Sequence, residues 1–162
     1  MIVYCKDDKH SMYVVTANMV ASQLLKKPDS VFGMIGFFDE NEEVTTILKN
    51  WAANGYINFS EASLIEYDDK ESYWSHVDML FYGISDRTKK PRRYECYQAF
   101  KNADQVLVVA QGKEQESMVK YIFEESVLSE NPAAILKEHE NVVLVGDKQA
   151  LSQMKKEGKW YY

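Results

Sequence analysis

The stretch from Gln105 to Val145, QVLVVAQGKEQESMVKYIFEESVLSENPAAILKEHENVVLV, narrows the folds open to this chain more than any other. Val106 to Ala110 is an unbroken apolar run, which predicts a strand covered on both faces and therefore a parallel sheet. Gly112 breaks that run. Met118, Val119, Ile122, Phe123 and Val127 then recur at helical spacing. Asn131 and Pro132 read as the N-cap and first residue of a second, short helix, and Val142 to Val145 as another buried strand. Parallel strands need a crossover, and a crossover of this kind is right-handed. The expected architecture is α/β: a three-layer α/β/α, Rossmann-like arrangement with a mostly parallel sheet between helices.

At 162 residues the chain is expected to form a single domain over 1–162, large enough to bury a core without covalent staples. A net charge of −6 repels nucleic acid and anionic membranes, so neither is an expected partner. The two cysteines, Cys5 and Cys96, lie in apolar settings without CxxC spacing and read as reduced structural thiols. No metal site or cofactor is called for. The start MIVYCKDDKH lacks a basic region followed by a long apolar core, and no run reaches membrane-spanning length, so the expected location is the cytoplasm.

Taken in order, Ile2 to Cys5 predicts a first strand, and Asp7-Asp8 caps a helix running to about Lys27. Its apolar stripe is Tyr13, Val14, Ala17, Val20, Ala21, Leu24 and Leu25, and Pro28 ends it. Ser30 to Gly36 predicts a second strand. A helix follows with Val44, Ile47, Leu48 and Trp51 as its buried stripe and Asn54-Gly55 as its stop. Its start carries Asp39, Glu40, Glu42 and Glu43, with Asp39 and Glu42 spaced as a capping box. A phosphate dianion placed there would meet several like charges, each pair costing about 1 kcal/mol or more. A third strand is expected between Ala62 and Ile65. Ser72-Tyr73 and the spacing of Tyr73, Val77, Leu80, Phe81 and Ile84 predict a further helix, and Tyr94, Tyr97 and Phe100 another. Gly146-Asp147 reads as the opening of a last helix through Ala150, Leu151 and Met154. The terminal Trp160, Tyr161 and Tyr162 are costly to leave in water, so they are expected to dock on the core or to form a homo-oligomer contact.

The order Ala103, strand, Gly112, helix, Pro132-Ala133-Ala134, Leu136, His139, Asn141-Val142 and Asp147 with Ala150 resembles the C-terminal third of the glucosamine-6-phosphate deaminase and 6-phosphogluconolactonase family. KKPDSVFGMIG resembles that family's start. The resemblance implies a sugar-phosphate site, and it also implies losses. Phe37, Phe38 and Asp39 stand where it implies a small-residue phosphate loop. Ile65, in Leu64-Ile65-Glu66-Tyr67, stands where it implies an aspartate base, and an alkyl group moves no proton. Gly83-Ile84 runs directly into SDRTKKPRRYECYQAF where it implies a loop with a catalytic histidine, so the middle of the chain reads as truncated relative to the family. His76 does not replace that histidine. Three residues past Gly112, where it implies a phosphate-contacting lysine, stands Gln115, with Lys113 close by.

These readings point to a glucosamine-6-phosphate isomerase/deaminase-like protein of carbohydrate metabolism without the chemistry, acting as a binding, regulatory or structural protein. No residue is assigned as catalytic on that reading. The alternative is an active isomerase, deaminase or lactonase with a rearranged site. It would use Glu66, Asp68 or Asp69 as base and draw its ligand contacts from Arg87, Arg92, Arg93 and Lys113. A sugar-responsive sensor is a third possibility, on the example of repressor effector domains of this fold. The expected ligand is a small sugar or sugar phosphate.

Overall fold

The apolar run that dominates the sequence becomes β5 (Val106–Ala110), buried at all five positions, and Val142–Asp147 becomes β6 beside it. In the computed structural model the described residues are 1–35, 42–66, 75–84, 93–124 and 132–162. Five further strands complete the sheet: β1 (Ile2–Lys6), β2 (Val31–Ile35), β3 (Ser63–Glu66), β4 (Met79–Ile84) and β7 (Lys159–Tyr161). Their order is β3-β2-β4-β5-β6-β1-β7, and every pairing is parallel. The helices are α1 (Lys9–Lys26), α2 (Glu42–Ala53), α3 (Arg93–Lys101) and α4 (Glu116–Glu124), with 3-10 turns at Lys113–Gln115 and Pro132–Lys137. Val127 and Asn131 lie outside the described residues.

Strand alternation divides the core in two. On one face Met79, Phe81, Leu107, Val109, Val143 and Val145 meet α1 through Met12, Tyr13, Ala17, Val20 and Leu24, and α2 through Val44. On the other, Leu80, Tyr82, Ile84, Val106, Val108, Ala110 and Leu144 meet Ala99 and Phe100 of α3, Val119 and Ile122 of α4, and Ala133 and Leu136. The three layers are therefore real. At the start of α1 the Asp8 carboxylate accepts hydrogen bonds from the Ser11 amide at 2.8 Å and the Ser11 hydroxyl at 2.7 Å, the cap its position implied.

Two expectations are corrected. The apolar stripe through Val77, Leu80, Phe81 and Ile84 is not helical: Met79–Ile84 is a strand buried at all six positions, between β2 and β5. A continuous run, MLFYGI, satisfies a helical spacing by accident, and only burial on both sides of the chain decides between the two. Ser72 and Tyr73 lie outside the described residues. His76 accordingly sits ahead of β4, exposed, with its Nε2 2.8 Å from an Asp104 carboxylate oxygen. Secondly, Gly146-Asp147 opens a set of turns and not a helix, since the Asp147 carboxylate takes the Ala150 amide at 2.8 Å and the chain then leaves toward β7.

The terminal aromatics dock on the sheet. β7 adds to β1 in parallel, with Trp160 against the α3 and α4 side of the core and the Tyr161 ring stacked on Tyr4 at 5.0 Å. Cys5 is free and buried, and burial pushes its thiol up, away from the reactive thiolate. The side chain of Cys96 lies outside the described residues.

Asp78 ties α1 to the start of β4. Its carboxylate, 7% exposed, lies 2.7 Å from the Lys27 ammonium and accepts the Val31 amide at 2.7 Å. Burial pushes the Asp78 carboxyl up, but hydrogen bonds from Lys27 and from the Val31 amide outweigh it and hold the group below the ordinary carboxylate value. The same bond raises Lys27. A depressed carboxyl stabilises the fold above its unfolded value, about 3.9, and that stabilisation is lost as pH falls through the lower folded value. The raised lysine acts oppositely, keeping its contribution below about 10.4 and losing it as pH rises through the folded value. Asp78→Asn is expected to cost about 2 kcal/mol in urea denaturation at pH 7, and the gap to wild type should close below the carboxylate range. An unchanged midpoint at pH 7 would show the bond to be idle.

Candidate functional site

An all-parallel sheet gathers every strand's C-terminal end on one edge, here Lys6, Ile35, Glu66, Ile84, Ala110, Asp147 and Tyr161. Ligands in open α/β sheets bind on that edge where neighbouring strands send their connections to opposite faces. Among the described residues two such points occur in this order. β2 leads to α2 on one face while its neighbour β4 leads to α3 on the other. Likewise β1 leads to α1, while the turns after β6 join the opposite side of the core through Ala150, Leu151 and Met154. Residues 36–41 and 85–92, which follow β2 and β4, lie outside the described residues. The describable half of the edge is therefore the ends of β5, β6 and β1.

There the side chains interlock. Tyr13, fully buried on α1, donates its hydroxyl hydrogen bond to Gln111 Oε1 at 2.8 Å, bridging the edge from α1 to the end of β5. Gly112 follows at φ 83°, a backbone region open to glycine, and donates its N–H to Asp147 Oδ2 at 2.9 Å. Asp147 Oδ1 holds the Ala150 amide, so both its oxygens are engaged. Lys148 reaches the Asp7 carboxylate at 2.5 Å. At the mouth of α1, His10 Nδ1 lies 2.7 Å from Glu43 Oε1, which joins the first turns of α1 and α2 through exposed groups. The bond with Ser11 holds the Asp8 carboxyl below its ordinary value, so it is ionised at neutral pH.

The site residues expected from sequence are not gathered in one place. Glu66 ends β3 at the sheet margin; its side chain, together with Asp68, Asp69, Arg87 and Arg92, lies outside the described residues. Arg93 begins α3, and Lys113 stands exposed in the turn after β5. β2 and β4 lie between β3 and β5, so Glu66 and Lys113 are separated by three strand spacings, about 14 Å. Ile65 is half-buried and packs on the α3 and α4 side of the core. Of the acidic start expected for α2, residues 39–41 lie outside the described residues, while Glu43 is the partner of His10.

Sequence reasoning missed the His10 and Glu43 pair, the Tyr13 bridge and the role of Asp147. Contacts spanning 33, 98 and 35 positions leave no local signal. It did count to Gln115, but it had no means of knowing that this side chain is 5% exposed. Among the described residues no group of three or more His, Cys, Asp or Glu is placed to hold a metal, and no helix is long and apolar enough to cross a membrane.

A parallel sheet covered by helices on both faces defines a Rossmann-like α/β protein. More particularly, the fold is that of glucosamine-6-phosphate deaminase and 6-phosphogluconolactonase. The chain superposes on a monomeric glucosamine-6-phosphate deaminase with a TM-score of 0.76 at 14% identity, covering 95% of this chain and 100% of that one. It matches the 6-phosphogluconolactonase of Trypanosoma brucei at 0.70 and 10% identity, over 95% and 98% of the two chains. The enzyme of Trypanosoma cruzi gives 0.64 and 8%, over 95% and 97%. No family model and no curated protein sequence matches the chain.

Proposed function

We propose that this chain is a non-catalytic, cytoplasmic member of the sugar-phosphate deaminase and lactonase group in carbohydrate metabolism, kept as a binding or regulatory domain. The observation that carries the reading is that two backbone donors on the described part of the C-terminal edge, the amides of Ser11 and Gly112, are occupied by the chain's own carboxylates. Asp8 takes the start of α1, and Asp147 takes the amide of Gly112. An incoming phosphate would have to displace a carboxylate already hydrogen-bonded in place, and would face Asp7, Glu114 and Glu116 while doing so. Ile65, turned to the core, supplies no proton-transfer group.

The test is turnover. Ammonia release from glucosamine-6-phosphate and hydrolysis of 6-phosphogluconolactone should stay at background, and neither glucosamine-6-phosphate nor 6-phosphogluconate should raise the melting temperature at millimolar concentration. A second reading, the rearranged enzyme, is favoured by one observation: His10 held by Glu43 is an imidazole positioned at the functional edge. Turnover lost in His10→Asn, or in Glu66→Gln, would establish that reading in place of the first.

A further inference from the structure

Between α2 and the margin of the sheet lies a cavity of about 250 Å³, on the face that α1 and α2 cover. Its floor is built from cross-strand pairs. Phe32 of β2 is in register with Leu64 of β3, and Met34 with Phe81 of β4, so these four side chains share one face of the sheet. The Phe32 and Phe81 rings stack with centres 5.8 Å apart. Val44 and Leu48, one turn apart on α2, form the roof.

Among the described residues two observations show this space to be unfilled. The apolar stripe of α2 is Val44, Ile47, Leu48 and Trp51, yet Val44 alone is buried, and the other three keep partial exposure although they face the core cluster. Two large apolar side chains of the lining are also exposed, Phe59 at 36% and Leu64 at 47%. Protein interiors leave few voids larger than one water, whose share of the liquid is about 30 Å³. Water fills a space like this poorly, because each molecule needs about two to four polar partners.

The lining sets the class of occupant. No charged residue belongs to it, and Thr45 and Ser63 carry its only polar side chains, so an ion would enter without a counter-charge. The phenyl rings of Phe32, Phe59 and Phe81 and the thioether of Met34 favour an aromatic guest. An apolar cavity of about 150 Å³ takes a single benzene, and drug-sized ligands fill about 300–1,000 Å³, so one or two fused rings suit the volume. The Thr45 hydroxyl, able to donate and to accept, matches one polar group on such a ring system.

We propose that this cavity binds a neutral aromatic molecule of one or two rings bearing a single hydroxyl or ring N–H group. The site lies beside β3 under α2, and it does not rest on the non-catalytic reading, which concerns the ends of β5, β6 and β1. 2-Naphthol and indole at millimolar concentration are the probes, with 2-naphthoate as the charged counterpart. At least one neutral compound should raise the melting temperature by about 3 °C or more at saturation, and 2-naphthoate should leave it unchanged. Methyl resonances locate the guest. The Met34 signal, assigned by its loss in Met34→Leu, should move in a one-to-one titration, while that of Met154, in the cluster across the sheet, stays in place. Thr45→Phe, which puts a ring into the space, should remove the ligand shift and raise the melting temperature of the ligand-free protein by about 2 °C.

The proposal is overturned by the absence of a shift from both neutral compounds, by an equal shift from 2-naphthoate, or by full binding in a folded Thr45→Phe variant. A Met34 methyl that does not move overturns it as well, and that measurement, made on the unaltered chain, decides the matter if Thr45→Phe does not fold.

Discussion

Val108→Asp should yield a chain with no cooperative melt. Val108 is fully buried in β5, in register with Tyr82 of β4 on one side and Leu144 of β6 on the other, and it faces the cluster formed with α3 and α4. A carboxylate there would lie within an apolar cluster that includes Leu80, Val106, Phe100 and Ile122. Burying a polar group without a partner costs several kcal/mol and an ionised one far more, against a net stability of about 5–15 kcal/mol for a domain. Circular dichroism during heating is the measurement. Val108→Ile, which keeps the apolar surface and adds one methylene, is the control and should melt cooperatively. A soluble Asp variant with a sharp transition would mean that β5 is not central.

Much of the fold was legible because α/β architecture writes itself in local runs. The β5, α4 and β6 unit declares itself through two apolar strands and a stripe at 3.6-residue spacing, and α1 through Asp8 at one end and Pro28 just past the other. β4 was misread because MLFYGI carries no alternation. A strand buried on both faces and a buried helix share one apolar signature, and the decision lay in tertiary contacts that the local pattern does not hold. Asp147 misled for another reason. An Asp after a glycine fits a helix cap as well as a turn, and here its second oxygen is claimed by Gly112, 35 residues away.

The site was legible only as absence. Ile65 in place of a base and Gln115 in place of a lysine can be counted along the chain. What those substitutions leave behind cannot be counted. Whether Gln115 is exposed or buried depends on how the turn after β5 seats against the core. That in turn follows from Tyr13 reaching across to Gln111 and from Asp147 holding Gly112. These two contacts tie α1 and β6 to the turn after β5 across 98 and 35 positions, separations that no local pattern holds.

The reassignment of Met79–Ile84 makes the other large prediction. In a strand, neighbouring residues point to opposite faces; in a helix they stand about a quarter-turn apart and share surroundings. Phe81 is 2% exposed and stacks on Phe32 with ring centres 5.8 Å apart, on the α1 and α2 side. Tyr82, the next residue, meets Phe100 of α3 edge-on at 5.1 Å on the other side. Phe81→Ala and Phe100→Ala are each expected to cost about 3–5 kcal/mol, since each empties a close-packed site. Leucine replacements, gentler and so suited to combination, give the sharper test by urea denaturation. Cycles pairing Phe32 with Phe81, and Tyr82 with Phe100, should each return a coupling of about 1 kcal/mol, the worth of a ring contact beyond its buried area. The cross cycle of Phe81 with Phe100 should return a value near zero, because the sheet stands between them. Strong coupling in that cross cycle would place both rings in one cluster, restore the helical reading of this segment, and remove β4 from the centre of the sheet.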